Sequence, residues 1–251
     1  MFDFTDKVAL LTGAGVGIGA SAAKAYARDG AKVAVNSVSG SGKKLAEEIE
    51  KEGGKALFVQ GDVSKPEEVE SMIKATVEEF GKLDIVVNCA GIVSGGSVEE
   101  MDLDLWNRVM DVNVTGTFLV CKYAMPHLRK TRGVIVNVAS LVAVKGIANR
   151  AVYSASKGAV LALSKAMAAD HIKDGIRVNV VSPGTVLSPS LEQRIQSEPD
   201  PEAAMNNYVS RQPLGRLGTP EEIAAAILFA SSEEAGFMDG ANICIDGAGS
   251  L

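Results

Sequence analysis

Short runs of β-branched and aliphatic residues alternate along this chain with longer stretches whose apolar positions recur every three or four residues. The runs "KVALLTG" (7–13), "KVAV" (32–35), "ALFVQGDV" (56–63), "DIVVNCAG" (84–91), "GVIVNVAS" (133–140), "RVNVVSPG" (177–184) and "NICID" (242–246) read as strands. Helical periodicity fills the gaps between them. It predicts helices over 18–28, 43–52, 66–80, 105–128, 151–171 and 220–231, with Pro66 starting the third. Most of the strands are apolar at nearly every position, so both faces are covered, as in a parallel sheet with helices on either side.

Right-handed βα crossovers then give a single-domain α/β fold over residues 1–251, a Rossmann-type doubly wound sheet of about seven strands. One segment breaks the rhythm. Residues 185–219 carry Pro189, Pro199, Pro201 and Pro213 and follow the C-terminal end of the sixth strand. Ligands bind at that end of open α/β sheets. The segment is therefore read as a helical substrate lid, centred on 187–215.

Charge and composition exclude several other classes. The formal net charge of −6 offers no basic face for nucleic acid or for an acidic membrane surface. The uncharged stretch 8–23 is interrupted by Gly13, Gly15, Gly17 and Gly19 and follows an acidic flank, unlike a signal peptide or a membrane span. Cys89, Cys121 and Cys244 are odd in number and widely spaced, and read as buried thiols of a cytoplasmic protein. His127 and His171 have no metal-ligand spacing, so no metal site is expected.

Two places carry chemistry. "LLTGAGVGIGASAAK" puts glycines between the first strand and first helix, where a pyrophosphate can approach the backbone and meet the N–H groups of a helix N-terminus. "RAVYSASKGAV" puts Tyr153 and Lys157 one helical turn apart. Alone, such a pair is an ordinary solvated contact. In catalysis a phenol could exchange a proton with a carbonyl oxygen. An ammonium about 5 Å away would favour the phenolate by about 3 kcal/mol, roughly two pKa units.

These motifs resemble the short-chain dehydrogenase/reductase family, whose glycine pattern TGxxxGxG spans 12–19 here. "NCAG" at 88–91 is similar to the family's NNAG turn, with Cys89 replacing asparagine. Asn113 in "DVNVTG", Ser140 placed 13 residues before Tyr153, YxxxK at 153–157 and the Pro183–Gly184 pair follow in the family order. The resemblance implies that Tyr153 is the acid/base and that Lys157 lowers its pKa and holds the nicotinamide ribose. By the same resemblance Ser140 bonds the substrate oxygen, and Asn113 anchors a water in a proton relay. The dinucleotide would lie on Gly13, Gly15, Val16, Gly17, Ile18, Gly19, Ser37, Asp62, Val63, Asn88, Ala90, Gly91, Tyr153, Lys157, Pro183, Gly184 and Thr185. Asp62 and Val63 would flank the adenine, and Thr185 the nicotinamide carboxamide. A homotetramer is also implied.

The end of the second strand bears on the cofactor. An acidic side chain there selects NAD by bonding the ribose 2′-OH. Ser37 stands at that position, so NADP(H) is favoured, with NAD(H) or dual use as the alternative; Val16 and Val38 stand where NADP-preferring relatives often carry arginine. The lid sequences "PGTVLSPSLEQRI" and "SRQPLGRLGTPEEIA" resemble a subgroup that includes 3-hydroxybutyrate and 2-keto-3-deoxy-L-fuconate dehydrogenases. In that subgroup arginines hold a substrate carboxylate, and the matching positions are Arg150, Arg194 and Arg211. The expected substrate is a hydroxy acid, a deoxy-keto sugar acid or a related sugar. The rivals are a 3-oxoacyl-thioester reductase and a non-catalytic dinucleotide-binding protein.

Overall fold

In the computed structural model, which describes residues 2–251, a seven-stranded parallel sheet has the order β3-β2-β1-β4-β5-β6-β7. Its strands are β1 (Val8–Thr12), β2 (Lys32–Ser37), β3 (Lys55–Gln60), β4 (Ile85–Asn88), β5 (Val134–Val138), β6 (Arg177–Pro183) and β7 (Asn242–Ile245). The helices between them are α1 (Gly17–Arg28), α2 (Ser41–Lys51), α3 (Pro66–Phe80), α4 (Leu103–Met110), α5 (Gly116–Thr131), α6 (Ala151–His171), α7 (Pro189–Gln196), α8 (Pro201–Ser210) and α9 (Pro220–Ser231).

Strand alternation divides the core into two layers. Ala9 and Leu11 of β1 join side chains of α1, α2 and α9, while Val8 and Leu10 join those of α3, α5 and α6. Both faces of the strand are thus buried, as its unbroken apolar run requires. The strand order reverses between β1 and β4, which parts the loops at their C-terminal ends and opens a crevice there. The Gly-rich turn follows β1 and "NCAG" follows β4, so the topology brings these motifs to one place.

Two expectations are corrected. The helix expected over 105–128 is two helices, α4 and α5, separated by a π-helical turn at Asp111–Thr115. The lid is helical, and two of its four prolines start its helices. Pro189 and Pro201 take first-turn positions of α7 and α8, where proline's missing N–H costs nothing, and Ser188 and Asp200 cap those helices. Of the three thiols only Cys121 is fully buried; Cys89 is half-buried and Cys244 is exposed on the edge strand β7. An edge strand with one uncovered face does not need an apolar side chain at each position.

The lid is closed at its base. The Gly218 N–H donates to Thr185 O at 3.0 Å, and the Leu187 N–H to Gly218 O at 2.9 Å. Residues 187–217 therefore form one flap over the C-terminal end of β6. Among the described residues, no helix is long and apolar enough to cross a membrane.

Candidate active site

The Gly-rich turn is shaped by close approaches. Gly13 has φ of 59°, and a Cβ there would lie 2.6 Å from Ala90 Cα in the "NCAG" turn. Thr12 Oγ1 accepts the Ala90 N–H at 3.2 Å across the same junction. At Gly19 a Cβ would lie 2.8 Å from Gly13 O, so glycine lets α1 pack onto the turn. The residue before α1, Val16, provides no side-chain cap, and no acidic residue occupies the first turn. The free N–H groups of α1 thus point at the crevice, the donor set a pyrophosphate needs.

Asn36 was not anticipated from the sequence. Its side chain donates to Val59 O and Gly61 O, both at 3.0 Å, and its main-chain oxygen accepts the Ala14 N–H at 2.8 Å. It therefore stitches β1, β2 and β3 together beside the Gly-rich turn. A buried asparagine in the run "VAVNS" was the available signal, because an amide is buried only where its bonds are met.

At the end of β2, Ser37 is committed to its own loop. Its hydroxyl donates to Ser39 O and accepts the Gly42 N–H. Val16 and Val38 are 50% and 63% exposed beside it. The N-terminus of α2 comes against the Gly-rich turn, for a Cβ on Gly15 would overlap Ser41 Oγ. Asp62 bonds Ser64 and Arg108; these partners hold its carboxyl below the usual range, against the opposing effect of partial burial. Val63 is buried.

Asn88 lies in a polar ladder through the core. Its Nδ2 donates to Asn137 Oδ1 at 2.8 Å, and Asn137 Nδ2 donates to Ser164 Oγ at 2.8 Å. Asn88 Oδ1 is buried without a hydrogen-bond partner among the described residues. Next to it, burial pushes the Cys89 thiol up to about 12, which removes it as a thiolate nucleophile.

Asn113 occupies the π-helical turn and is fully buried. Its Oδ1 accepts the Ile92 N–H at 2.8 Å, and its Nδ2 donates to Ile92 O and to Ser156 Oγ, both at 3.0 Å. Ser156 Oγ in turn donates to Tyr153 O at 2.8 Å. Both amide hydrogens are used, so the side chain ties the turn after "NCAG" to the start of α6. π-helical turns recur at functional sites because they turn a side chain out of the regular helical register.

Ser140, Tyr153 and Lys157 meet beside this brace. Ser140 is buried and its Oγ accepts the Val142 N–H at 3.4 Å, which leaves the hydroxyl hydrogen free to donate. Lys157 Nζ lies 5.9 Å from the centroid of the Tyr153 ring and donates to Val138 O at 2.8 Å. A Cβ on Gly91 would sit 3.4 Å from that Nζ and 3.2 Å from Asn113 Oδ1, so glycine keeps the cluster open toward the crevice.

The expected depression of the tyrosine by the lysine is not what these side chains produce. Burial dominates and raises the Tyr153 pKa; the Ser140 hydroxyl and the charges of Arg150 and Arg194 oppose it. The Lys157 ammonium is directed at a carbonyl, and its own pKa is lowered by burial to about 8. Protons are therefore bound more weakly to Lys157 in the folded chain than in the unfolded one. Its destabilising effect is full below pH about 8 and is relieved as the pH rises toward 10.5. Lys157→Met should raise Tm at pH 7, with the gain shrinking toward pH 10; calorimetry at both pH values checks this.

The three arginines are not equivalent. Arg150 precedes α6 and donates from Nη1 to Asn149 O at 2.8 Å, close to Gly95, where a Cβ would lie only 3.2 Å from that nitrogen. Arg194 on α7 joins it in acting on Tyr153. Arg211 does not converge on the phenol. It bonds Asn207 Oδ1 at 3.0 and 3.2 Å and lies 5.5 Å from the centroid of Tyr208, because it belongs to the outer face at the end of α8. Ser188, not expected from the sequence, lies against Gly17, with its Cβ 3.4 Å from where a glycine Cβ would be. Pro183 and Gly184 end β6 beside β7, and a Cβ on Gly184 would lie 2.7 Å from Asp246 Cα. Ile18 is half-buried in the first turn of α1.

Comparison with known proteins identifies the family of the chain. A family model described as enoyl-(acyl carrier protein) reductase matches residues 13–249. An uncharacterised oxidoreductase of Thermotoga maritima is 50% identical over 247 residues, 98% of each chain. The L-fucose dehydrogenase of Oryctolagus cuniculus is 39% identical over 249 residues, 99% of this chain and 86% of that one. The crystal structure of levodione reductase superimposes with a TM-score of 0.94 at 31% identity, over 98% of both chains. With its Gly-rich turn, Tyr–Lys pair and doubly wound sheet, the chain belongs to the short-chain dehydrogenase/reductase family. It is an NAD(P)-dependent oxidoreductase that interconverts an alcohol and a carbonyl.

Proposed function

We propose that this enzyme interconverts a secondary alcohol and a ketone on a hydroxy acid or a deoxy-keto sugar acid, with NADP(H) as the favoured cofactor. The substrate class is supported by Arg150 at the start of α6, beside Gly95, and by Arg194 on the lid helix α7, both near enough for their charges to act on Tyr153. Guanidinium groups suit a carboxylate because their planar fork binds it through two hydrogen bonds. A bound dinucleotide would supply or accept the hydride. Tyr153 gives its proton to the carbonyl oxygen in reduction and takes it back in oxidation. Ser140 donates its free hydroxyl hydrogen to the same oxygen, and Lys157 would hold the nicotinamide ribose of a bound dinucleotide. Asn113 acts by holding Ile92 and Ser156, and thus the start of α6.

NADP(H) is supported by the absence of a carboxylate at Ser37 and by the α2 N-terminus with Ser39 and Ser41 beside Gly15. Together they offer hydroxyls and no negative charge to a 2′-phosphate. A homotetramer in the cytoplasm completes the reading. The apolar side chains Leu103, Leu105 and Phe118 exposed along α4 and α5 support the assembly. A neutral sugar is the second reading, favoured by the likeness to an L-fucose dehydrogenase.

The test is a steady-state assay at about 340 nm, the reduced nicotinamide's absorbance in hydride transfer. It crosses NAD⁺ and NADP⁺ with hydroxy acids, keto-deoxy sugar acids and neutral sugars, and includes acetoacetyl thioesters in the reductive direction. Arg150→Met should raise KM for carboxylate substrates about tenfold or more and leave neutral ones nearly unchanged. Turnover confined to neutral sugars or thioesters rejects the carboxylate reading; a preference for NAD⁺ rejects the cofactor assignment.

A further inference from the structure

The return leg of the lid carries a buried glutamine for which the chemistry above has no use. The main chain of Gln212 belongs to the lid: its N–H donates to Val209 O at 2.9 Å, and its carbonyl accepts the Gly215 N–H at 2.8 Å. Its side chain belongs to the loop after β6. Gln212 Nε2 donates to Thr185 Oγ1 at 3.0 Å, while Oε1 accepts the Thr185 N–H at 3.4 Å. One planar amide thus engages both polar groups of a single threonine. The Thr185 carbonyl takes the Gly218 N–H, so the residue is held from two points on the lid's return leg.

A cavity of about 90 Å³ adjoins the contact, lined among others by Gly184, Thr185, Gln212, Leu214, Arg216 and Asp246. Gln212 itself is buried, so the two hydrogen bonds of its amide are shielded from water. Because Gln212 Nε2 donates to the threonine oxygen, the hydroxyl hydrogen of Thr185 remains available to a further acceptor.

We propose that Gln212 is a positioning residue that couples the lid to the nicotinamide end of the dinucleotide. It holds Thr185 only while the lid's return leg lies in the position described here. The inference rests on the reading in which Thr185 faces that end of the cofactor. Coupling of this kind is reciprocal: if lid position favours nucleotide, bound nucleotide favours the same lid position.

The experiment compares the full-length enzyme with Gln212→Met, which keeps the length and loses the amide, and with Gln212→Glu, whose carboxylate can accept from both groups of Thr185 but takes up its hydroxyl hydrogen. Each is titrated calorimetrically with NADP⁺ and NAD⁺. Each is also digested with trypsin, for which Arg194 and Arg211 are exposed sites on the lid. Nucleotide should slow lid cleavage in the wild type and in Gln212→Glu. In Gln212→Met, affinity should fall about fivefold to tenfold and the protection should disappear. Thr185→Val tests the same contact from its other side: adding Gln212→Met to it should cost less than Gln212→Met alone. Unchanged affinity and protection in Gln212→Met, or protection lost equally in Met and Glu, would overturn the proposal while the cofactor reading stands. A wild type that binds neither nucleotide would overturn both.

Discussion

Tyr153→Phe should lower kcat about a thousandfold in both directions while dinucleotide affinity stays within about twofold of the wild type. The substitution removes one oxygen atom and keeps the ring beside Lys157, so binding and folding lose little. What disappears is the proton. Burial raises the Tyr153 pKa, so at neutral pH the phenol keeps its hydrogen and is ready to act as an acid. Reduction should therefore run well near pH 7, and oxidation, which needs the phenolate, should climb as the pH rises. The Phe variant should lose that rising limb. Stopped-flow hydride transfer in both directions, across pH, reads the result; near-normal rates would remove Tyr153 from its role.

Gly13→Val should abolish detectable dinucleotide binding and also destabilise the fold. The residue has φ of 59°, a conformation costly for a β-branched side chain, and the new Cβ would lie 2.6 Å from main-chain Cα of Ala90. Backbone cannot rotate aside as a side chain does. A loss of about 3 kcal/mol is reasonable for strain and overlap together, or about 6–12 °C in Tm for a chain of this size. Calorimetry with and without nucleotide measures both effects. Wild-type Tm and affinity in this variant would contradict the described junction between the Gly-rich and "NCAG" turns.

The fold was legible because its strands are buried on both faces and its turns carry glycines at fixed places. The seven apolar runs each became a strand of the parallel sheet. The Tyr153, Lys157 and Ser140 cluster was also legible, since residues one turn apart on α6 share a face and β5 ends beside it. The π-helical turn was not: periodicity sees apolar positions recurring through 105–128 and does not register one residue's worth of slippage. Arg211 looked equivalent to Arg150 as a letter in a motif. Which way a lid side chain leans depends on local partners, here Asn207 and Tyr208, and such contacts leave no mark on hydrophobic patterning. The pairwise charge argument for Tyr153 left out desolvation, which competes with it inside a protein.

The π-helical turn at Asp111–Thr115 also sets the tolerance of this stretch to changes in length. Deleting one residue from the turn would let α4 and α5 merge into one continuous rod with better local hydrogen bonding. Since a π turn closes from i to i+5 where an α turn closes from i to i+4, the flanking helices would keep nearly their present faces and only the widened turn would close. Asn113, drawn into the regular helical register, would leave Ile92 and Ser156. A shorter, locally more regular helix would thus be a poorer part of the enzyme. In this segment length itself is under constraint, and substitutions that keep the count of residues should be far better tolerated than a deletion that improves the helix.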